Sequence, residues 1–448
     1  MEEKFMENSN VYEKPVTLSN TLKFAVPTIA MTVFMSFYTM VDGLFVSNLI
    51  GTSALSAINL TAPIIQLVTA ISTMLATGGS AVIMRKMGEQ NGKEAKEDFT
   101  FLILVNVIVG VAMCAVGYLA MEHIFAGMNL SADVEGYCVE YLGHYLVFTV
   151  PILLMNNFTL YMIASEKANL SLICSVMGGV LNMVLDYVFI AGAGMGISGA
   201  AVATGIGYSV TAVVGLFVFS SKKSFLHFTK PAFRLKVLAN AATNGCSEMA
   251  TALVTGIITM MFNWTMLRYV GEDGVAAVTI IMYVLMFASS LYTGYSYGVA
   301  PMLSYYYGEQ NREKLKKLVV VSFKVIAWIS VMTVVASFLL TRPLVSVFAR
   351  PDNPVYDLAV TGNRICTMAL FFIGFNIFAS GMFTALSNGI VSAVLAFSRS
   401  FVFMLIMMIV LPLILGVNGI WLATPAAELM AFALSVVMFF KYRKKYGY

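Results

Sequence analysis

Long apolar stretches, broken by short polar turns, recur along the chain from about residue 18 to about residue 440. Each can cross ~30 Å of hydrocarbon as a helix rising about 1.5 Å per residue. The pattern predicts helices over 18–46, 53–84, 98–121, 137–164, 168–192 and 197–221 in the first half of the chain. The second half repeats the rhythm over 236–267, 274–304, 318–341, 357–386, 388–415 and 418–440. The chain therefore reads as an all-α polytopic membrane protein of twelve transmembrane helices, with no room for a separate soluble domain.

The two halves are copies. Gly88-Glu89-Gln90-Asn91 returns as Gly308-Glu309-Gln310-Asn311, an offset of 220 residues. The same offset pairs Gly51 with Gly271, Gly78 with Gly298, Gly196 with Gly416, Gly199 with Gly419 and Thr204 with Thr424. An even number of helices per copy gives both the same orientation, so these are parallel repeats about an axis along the membrane normal. The expected organisation is a six-helix bundle over 1–221, a cytoplasmic linker over 222–235 and a second six-helix bundle over 236–448. Fused membrane repeats usually mark a transporter whose site lies between them. The basic, amphipathic linker should lie on the inner leaflet surface or run as a solvated loop.

Charge then sets the topology. All but four of the 27 lysines and arginines fall in the tails, connections and adjoining helix segments of one side, the exceptions being Arg268, Arg342, Arg350 and Arg364. The positive-inside rule makes that side cytoplasmic and places both termini there, in the plasma membrane. The net charge of +4 therefore says nothing about nucleic acid. Composition agrees, with 59% hydrophobic and 11% charged residues. The five cysteines are scattered, and no metal-ligand spacing, nucleotide-binding loop or nucleophile–base pair is present, so an enzyme, a metal site and a cofactor are not expected.

Four acids stand inside predicted helices: Asp42, Asp186, Glu248 and Glu428. None belongs to the shared scaffold, because at the offset of 220 they face Phe262, Ile406, Thr28 and Tyr208. A carboxylate at the bilayer centre costs at least about 2.5–3.5 kcal/mol and needs a partner, a wet cavity or a proton. Asn182 precedes Asp186 by one helical turn and shares its face. Asp42, Asn182 and Asp186 are expected to form one polar cluster in the first bundle. Two close carboxylates cannot both ionise cheaply, so the cluster should hold a proton or a cation; the bland alternative is that both aspartates cap nearby turns. Glu248, Glu428 and Arg399 lie near mid-depth. They form either a buried structural pair or an acidic lining for a cationic solute, and the residues leave both open. Tyr292 and Tyr295, on a helix too polar to face lipid all round, are expected to line the cleft. Met35 beside Tyr38 offers an adaptable apolar surface. Pro27, absent from the second copy, is a candidate hinge.

Ala25-Val26-Pro27, followed by the run from Tyr38 through Asp42 to Ser47, resembles the first helix of multidrug and toxic compound extrusion (MATE) transporters. Leu181-Asn182-Met183-Val184-Leu185-Asp186 resembles the fifth helix of the DinF-like branch, and Gly196–Ala201 with the paired GEQN loops also fits. The resemblance implies two pseudo-symmetric six-helix bundles forming a V-shaped central cleft. It implies export of organic cations or amphipathic compounds in exchange for H⁺, or possibly Na⁺, with Asp42, Asn182 and Asp186 as the ion site. The tenth helix departs from branches that use a sodium site there, since its only acid is Asp357 at the edge, so proton coupling is favoured. The expected partners are small-molecule substrates and membrane lipids, the chain acting as a monomer. The nearest rival is a flippase for lipid-linked precursors or polysaccharide.

Overall fold

The computed structural model describes residues 11–49, 52–128 and 130–448; for residues 41–49, Thr52, Ser53, Leu55 and Ala132 it describes the backbone alone. All regular structure among the described residues is helical. The first half holds α1 (Leu18–Leu49), α2 (Thr52–Gly88), α3 (Gly92–Ala126), α4 (Ala132–Val147), α5 (Thr149–Ala164), α6 (Ala168–Asp186) and α7 (Gly196–Ser220). The second holds α8 (Leu235–Tyr269), α9 (Glu272–Gly308), α10 (Arg312–Leu339), α11 (Thr341–Ser346), α12 (Pro354–Cys366), α13 (Leu370–Ala385), α14 (Gly389–Phe397), α15 (Met404–Leu415) and α16 (Val417–Tyr446).

These elements make the twelve expected spans. Eleven are long and apolar enough by themselves among the described residues, and the bent pair α4–α5 is the twelfth, with 52° between its arms. The bend has a cause in the sequence. Pro151 lies in the first turn of α5 and cannot donate to the carbonyl one turn back, so the helix restarts at Phe148. At the offset of 220 the tenth span tightens into a 3₁₀ turn, Thr367–Ala369, without a proline. Position 148 therefore breaks in both copies by different means.

The chain forms two compact units. Phe34–Gly245 makes one, here the amino-terminal unit; the residues up to Val33 join Cys246–Tyr448 in the other, the carboxyl-terminal unit. These units do not follow the repeat boundary. α1 gives its first half to one unit and its second half to the other, and α8 gives its start, up to Gly245, to the amino-terminal unit and the rest to the carboxyl-terminal one.

Glycines explain those exchanges. In the amino-terminal unit a Cβ on Gly78 would lie 1.9 Å from the Ala241 carbonyl oxygen, and one on Gly245 would lie 1.9 Å from that of Met74. The start of α8 therefore meets α2 backbone to backbone, the close approach that small residues allow between membrane helices. The carboxyl-terminal unit repeats this at the offset of 220. A Cβ on Gly298 of α9 would lie 2.9 Å from Ala25 Cα, and one on Gly294 would lie 2.6 Å from Ile29 Cα. Thr32 Oγ1 donates across the same contact to the Ser290 carbonyl at 2.8 Å.

Polar side chains supply further joints. Asn106 and Asn157, both fully buried, exchange amide hydrogen bonds at 3.2 and 2.8 Å and each also donates to a carbonyl one turn back on its own helix. The connection 222–235, expected on a membrane surface or in solvent, presents Lys222, Lys223, Lys230 and Phe233 outward and roots its other side in the protein. Leu226 is fully buried and Phe228 stacks on Phe99 at 5.4 Å, so the segment enters the core of the amino-terminal unit. Its end is fixed electrostatically: Arg234 bonds Asp98 and Glu97, each at 2.9 Å, and Lys86 also reaches Asp98. Asp98 is fully buried and so needs both cations.

Substitution of Gly78 or Gly245 by valine is expected to lose at least the ~1–3 kcal/mol typical of overpacking, because backbone rather than a side chain must move. Thermal unfolding of purified protein checks this; a melting temperature equal to that of the parent would contradict the close approach of α2 and α8.

Candidate functional site

In the amino-terminal unit, the polar cluster is built around α6. Gly178 and Gly207 face each other, a Cβ on either falling 2.5–2.8 Å from the other's carbonyl oxygen, so α6 and α7 touch. Gly179 makes room for the rings of Phe34 and Tyr38 on the second half of α1. One turn further along α6, Asn182 therefore lies within reach of both neighbours. Asn182 and Asp186 are each only 1% exposed.

The amide of Asn182 can be placed two ways about its terminal bond, and its neighbours choose between them. With nitrogen towards the carboxylate, it donates to Asp186 Oδ2 at 3.1 Å and to Tyr38 Oη at 2.7 Å. Its oxygen then accepts from the Thr204 amide at 2.9 Å and from Thr204 Oγ1 at 3.3 Å. This placement satisfies both ends of the amide, so Tyr38, Asn182, Asp186 and Thr204 form one hydrogen-bonded set. Asp186 ends the α-helical part of its span; Tyr187–Gly192 continues as a π turn, a local widening often found at functional positions. Beside the set, Met35, Tyr38, Met155, Tyr208 and Thr211 line a cavity of about 20 Å³, room for a single water. Three expected residues are thus brought together, Tyr38, Asn182 and Asp186, with Met35 beside them. The Asp42 side chain lies outside the described residues.

The carboxyl-terminal unit holds a different arrangement. Arg399 lies in a second π turn, Ser398–Phe403, and its Nε donates to both oxygens of Glu428 at 2.8 and 3.0 Å. Asn376 Nδ2 donates to Glu428 Oε2 at 2.7 Å, and Ser435 Oγ donates to Asn376 Oδ1 at 3.1 Å. Of the two readings open for these charges, a buried pair is what Arg399 and Glu428 form. Glu248 is separate: half-buried on α8, it accepts from Tyr297 Oη at 3.3 Å.

Tyr292 and Tyr295 require a correction. Both are fully buried within their unit, Tyr292 bonding Thr333 and the Leu370 carbonyl at 2.5 and 2.9 Å, and Tyr295 bonding Ser322 at 3.0 Å. Their hydroxyls pin α9 to α10 and α13 rather than facing a cleft. The polar stripe of α9 splits between two faces, and Tyr297 is the member that reaches an acid. Pro27 lies inside α1, which continues past it as one helix. Tyr297, Asn376 and Thr204 were not legible as site residues. Asn376, an amide in a strongly apolar span, carried the plainest signal.

Two like halves of six spans, each with buried ionisable groups bonded inside it, define a polytopic helical membrane protein of transporter type. The chain belongs to the MatE family, which it matches twice, over residues 27–188 and 249–410. The two matches coincide with the internal repeat. Among curated proteins it is similar to the multidrug export protein MepA of Staphylococcus saprophyticus, 22% identical across 92% of this chain and 89% of that one. Its fold is similar to that of a MATE protein crystallised in complex with MaL6, with a TM-score of 0.90, 22% identity and 98% of each chain covered. It is also similar in fold to a MOP superfamily transporter from Pyrococcus furiosus, for which a binding pocket of reverse polarity suggests a different function. That match has a TM-score of 0.88 and 21% identity, covering 98% of this chain and 97% of the other.

Removing one member of the Arg399–Glu428 pair strands a buried charge. Arg399→Met or Glu428→Met alone should destabilise by about 3–5 kcal/mol, and the double substitution should recover most of the loss. A double-mutant cycle on thermal or denaturant unfolding measures it; additive losses would mean that the two groups are not coupled.

Proposed function

We propose that this protein is a secondary active antiporter of the plasma membrane, exporting organic cations or other amphipathic compounds in exchange for protons. Family membership and the export role named for its MepA relatives support the transport reading. The observation that carries the coupling is the buried Asp186, accepting a hydrogen bond from Asn182 inside a membrane span. Asp42, four residues after Tyr38 in the sequence, is proposed as the second carboxylate of that set.

A proton is favoured over sodium because the tenth span carries no acid beyond Asp357 near its start. An ionised Asp186 accepts from the amide, whereas a protonated one offers a donor of its own, so loading rearranges the bonds to Tyr38 and Asn182. Coupling follows when the loaded and empty sets favour different openings, because a ligand shifts an equilibrium only by its differential affinity. The charge asymmetry supports cytoplasmic termini, and a monomer is the proposed working unit.

A flippase for lipid-linked precursors fits less well. Arg399, well inside its span, is paired with Glu428. Glu248 accepts from Tyr297 and has no ion pair among the described residues, which suits a cationic solute better than an anionic one.

In proteoliposomes, an imposed ΔpH alone should drive export of a fluorescent organic cation, while a Na⁺ gradient alone should not. Asp186→Asn should lower ΔpH-driven export at least about ten-fold, the effect expected when about 1.4 kcal/mol or more of coupling is lost. Export that runs on sodium, or that ignores Asp186→Asn and Asp42→Asn, would end this reading.

A further inference from the structure

We infer that the carboxyl-terminal unit carries a binding site for an anionic phospholipid, in a groove between the first half of α1 and one face of α10. Leu18, Leu22, Val26 and Ile29 recur at helical spacing along α1, and Lys324, Trp328, Met332 and Ala336 recur at every fourth residue along α10. With Leu291 of α9 as the floor, these stripes enclose a cavity of about 760 Å³. From Lys324 to Ala336 the groove runs about 18 Å along the helix, enough for an extended acyl chain. Its walls are apolar but exposed, Trp328 by 66%, Val26 by 53% and Met332 by 50%.

Lys324 gives the groove its chemistry. It lies about 10 Å beyond Lys317, inside the apolar part of α10, where an ammonium needs an anion or must snorkel to the interface. Among the described residues Lys314 and Lys317 have carboxylate partners, Glu309 and Glu313, whereas Lys324 has none. Its side chain is exposed and lies at one end of an apolar channel the length of an acyl chain. A phosphodiester beside Lys324, with a tail laid along Trp328 and Met332, satisfies both the charge and the apolar walls. Lipid also has access, since these stripes belong to membrane spans and no part of the described chain covers them.

Trp328 reports occupancy. Of the three tryptophans, Trp421 is buried, so Trp264→Phe leaves Trp328 as the exposed emitter. The full-length protein is reconstituted in phosphatidylcholine vesicles containing rising fractions of brominated phosphatidylglycerol or, separately, brominated phosphatidylcholine. Quenching by the anionic lipid should reach half-maximum at an about five-fold lower mole fraction, the worth of one lysine near an anionic headgroup. Lys324→Gln should erase that preference, Lys324→Arg should keep it, and Val26→Phe, which fills the groove, should weaken quenching by both lipids. Equal quenching in the parent, or a preference that survives Lys324→Gln, overturns the proposal. So does a preference lost with Lys23→Gln instead, which would mark a diffuse surface effect. A preference seen only after deletion of residues 2–10 would make the amino terminus the occupant, and also overturns it.

Discussion

Inside a bilayer a polar group has no water to fall back on, so each one must find its partner on another part of the protein. That constraint orders this molecule. Asn106 and Asn157 answer each other across two spans, Asp98 draws in Lys86 and Arg234, and Glu428 is met by Arg399 and Asn376. Asp186 is treated differently. It accepts from the neutral amide of Asn182, itself held by Tyr38 and Thr204. A guanidinium fixes a carboxylate in its charged form; an amide tolerates either form. The two units thus hold acids of different character, one in an ion pair and one facing a neutral amide, which we propose gains and loses a proton.

The repeat shows what is scaffold and what is chemistry. Gly78 against α8 and Gly298 against α1 are the same contact built twice, and the breaks at 148 and at 367–369 fall at one repeat position. Those features survive in both copies because they set helix approach and direction. The ionisable groups do not survive the comparison: Asp186 faces Ile406 and Glu428 faces Tyr208. One framework therefore carries two unlike sets of buried charges, as expected when only one unit is to bind an ion. The MatE family match, falling once on each half, is the same conclusion reached from outside the chain.

Much of this was legible in the residues. Twelve apolar runs gave twelve spans, since length and hydropathy are nearly sufficient for a membrane helix. Asn182 with Asp186 stood out because a carboxylate and an amide one turn apart in an apolar helix have few innocent explanations. Other features needed three dimensions. The exchange of half-helices between units depends on which glycines meet backbone, and Gly78 and Gly245 look like any others in sequence. The lysines of 222–235 suggest a surface segment, and only the fold shows that Leu226 and Phe228 root it in the amino-terminal unit. Tyr292 and Tyr295 were assigned to a cleft on polarity alone, although a hydroxyl can equally be spent bonding a neighbouring helix. The π turns at Asp186 and Arg399 leave no mark in composition or spacing.

The central claim is that the Asp186 carboxyl gains and loses a proton within its hydrogen-bonded set. Infrared difference spectroscopy on the reconstituted protein, recorded as the pH is lowered, observes this directly. The account predicts a protonated-carboxyl C=O band that grows on acidification, shifts when Asn182 is replaced by alanine and disappears in Asp186→Asn. A spectrum in which that band is absent from the parent, or persists unchanged in Asp186→Asn, would contradict it.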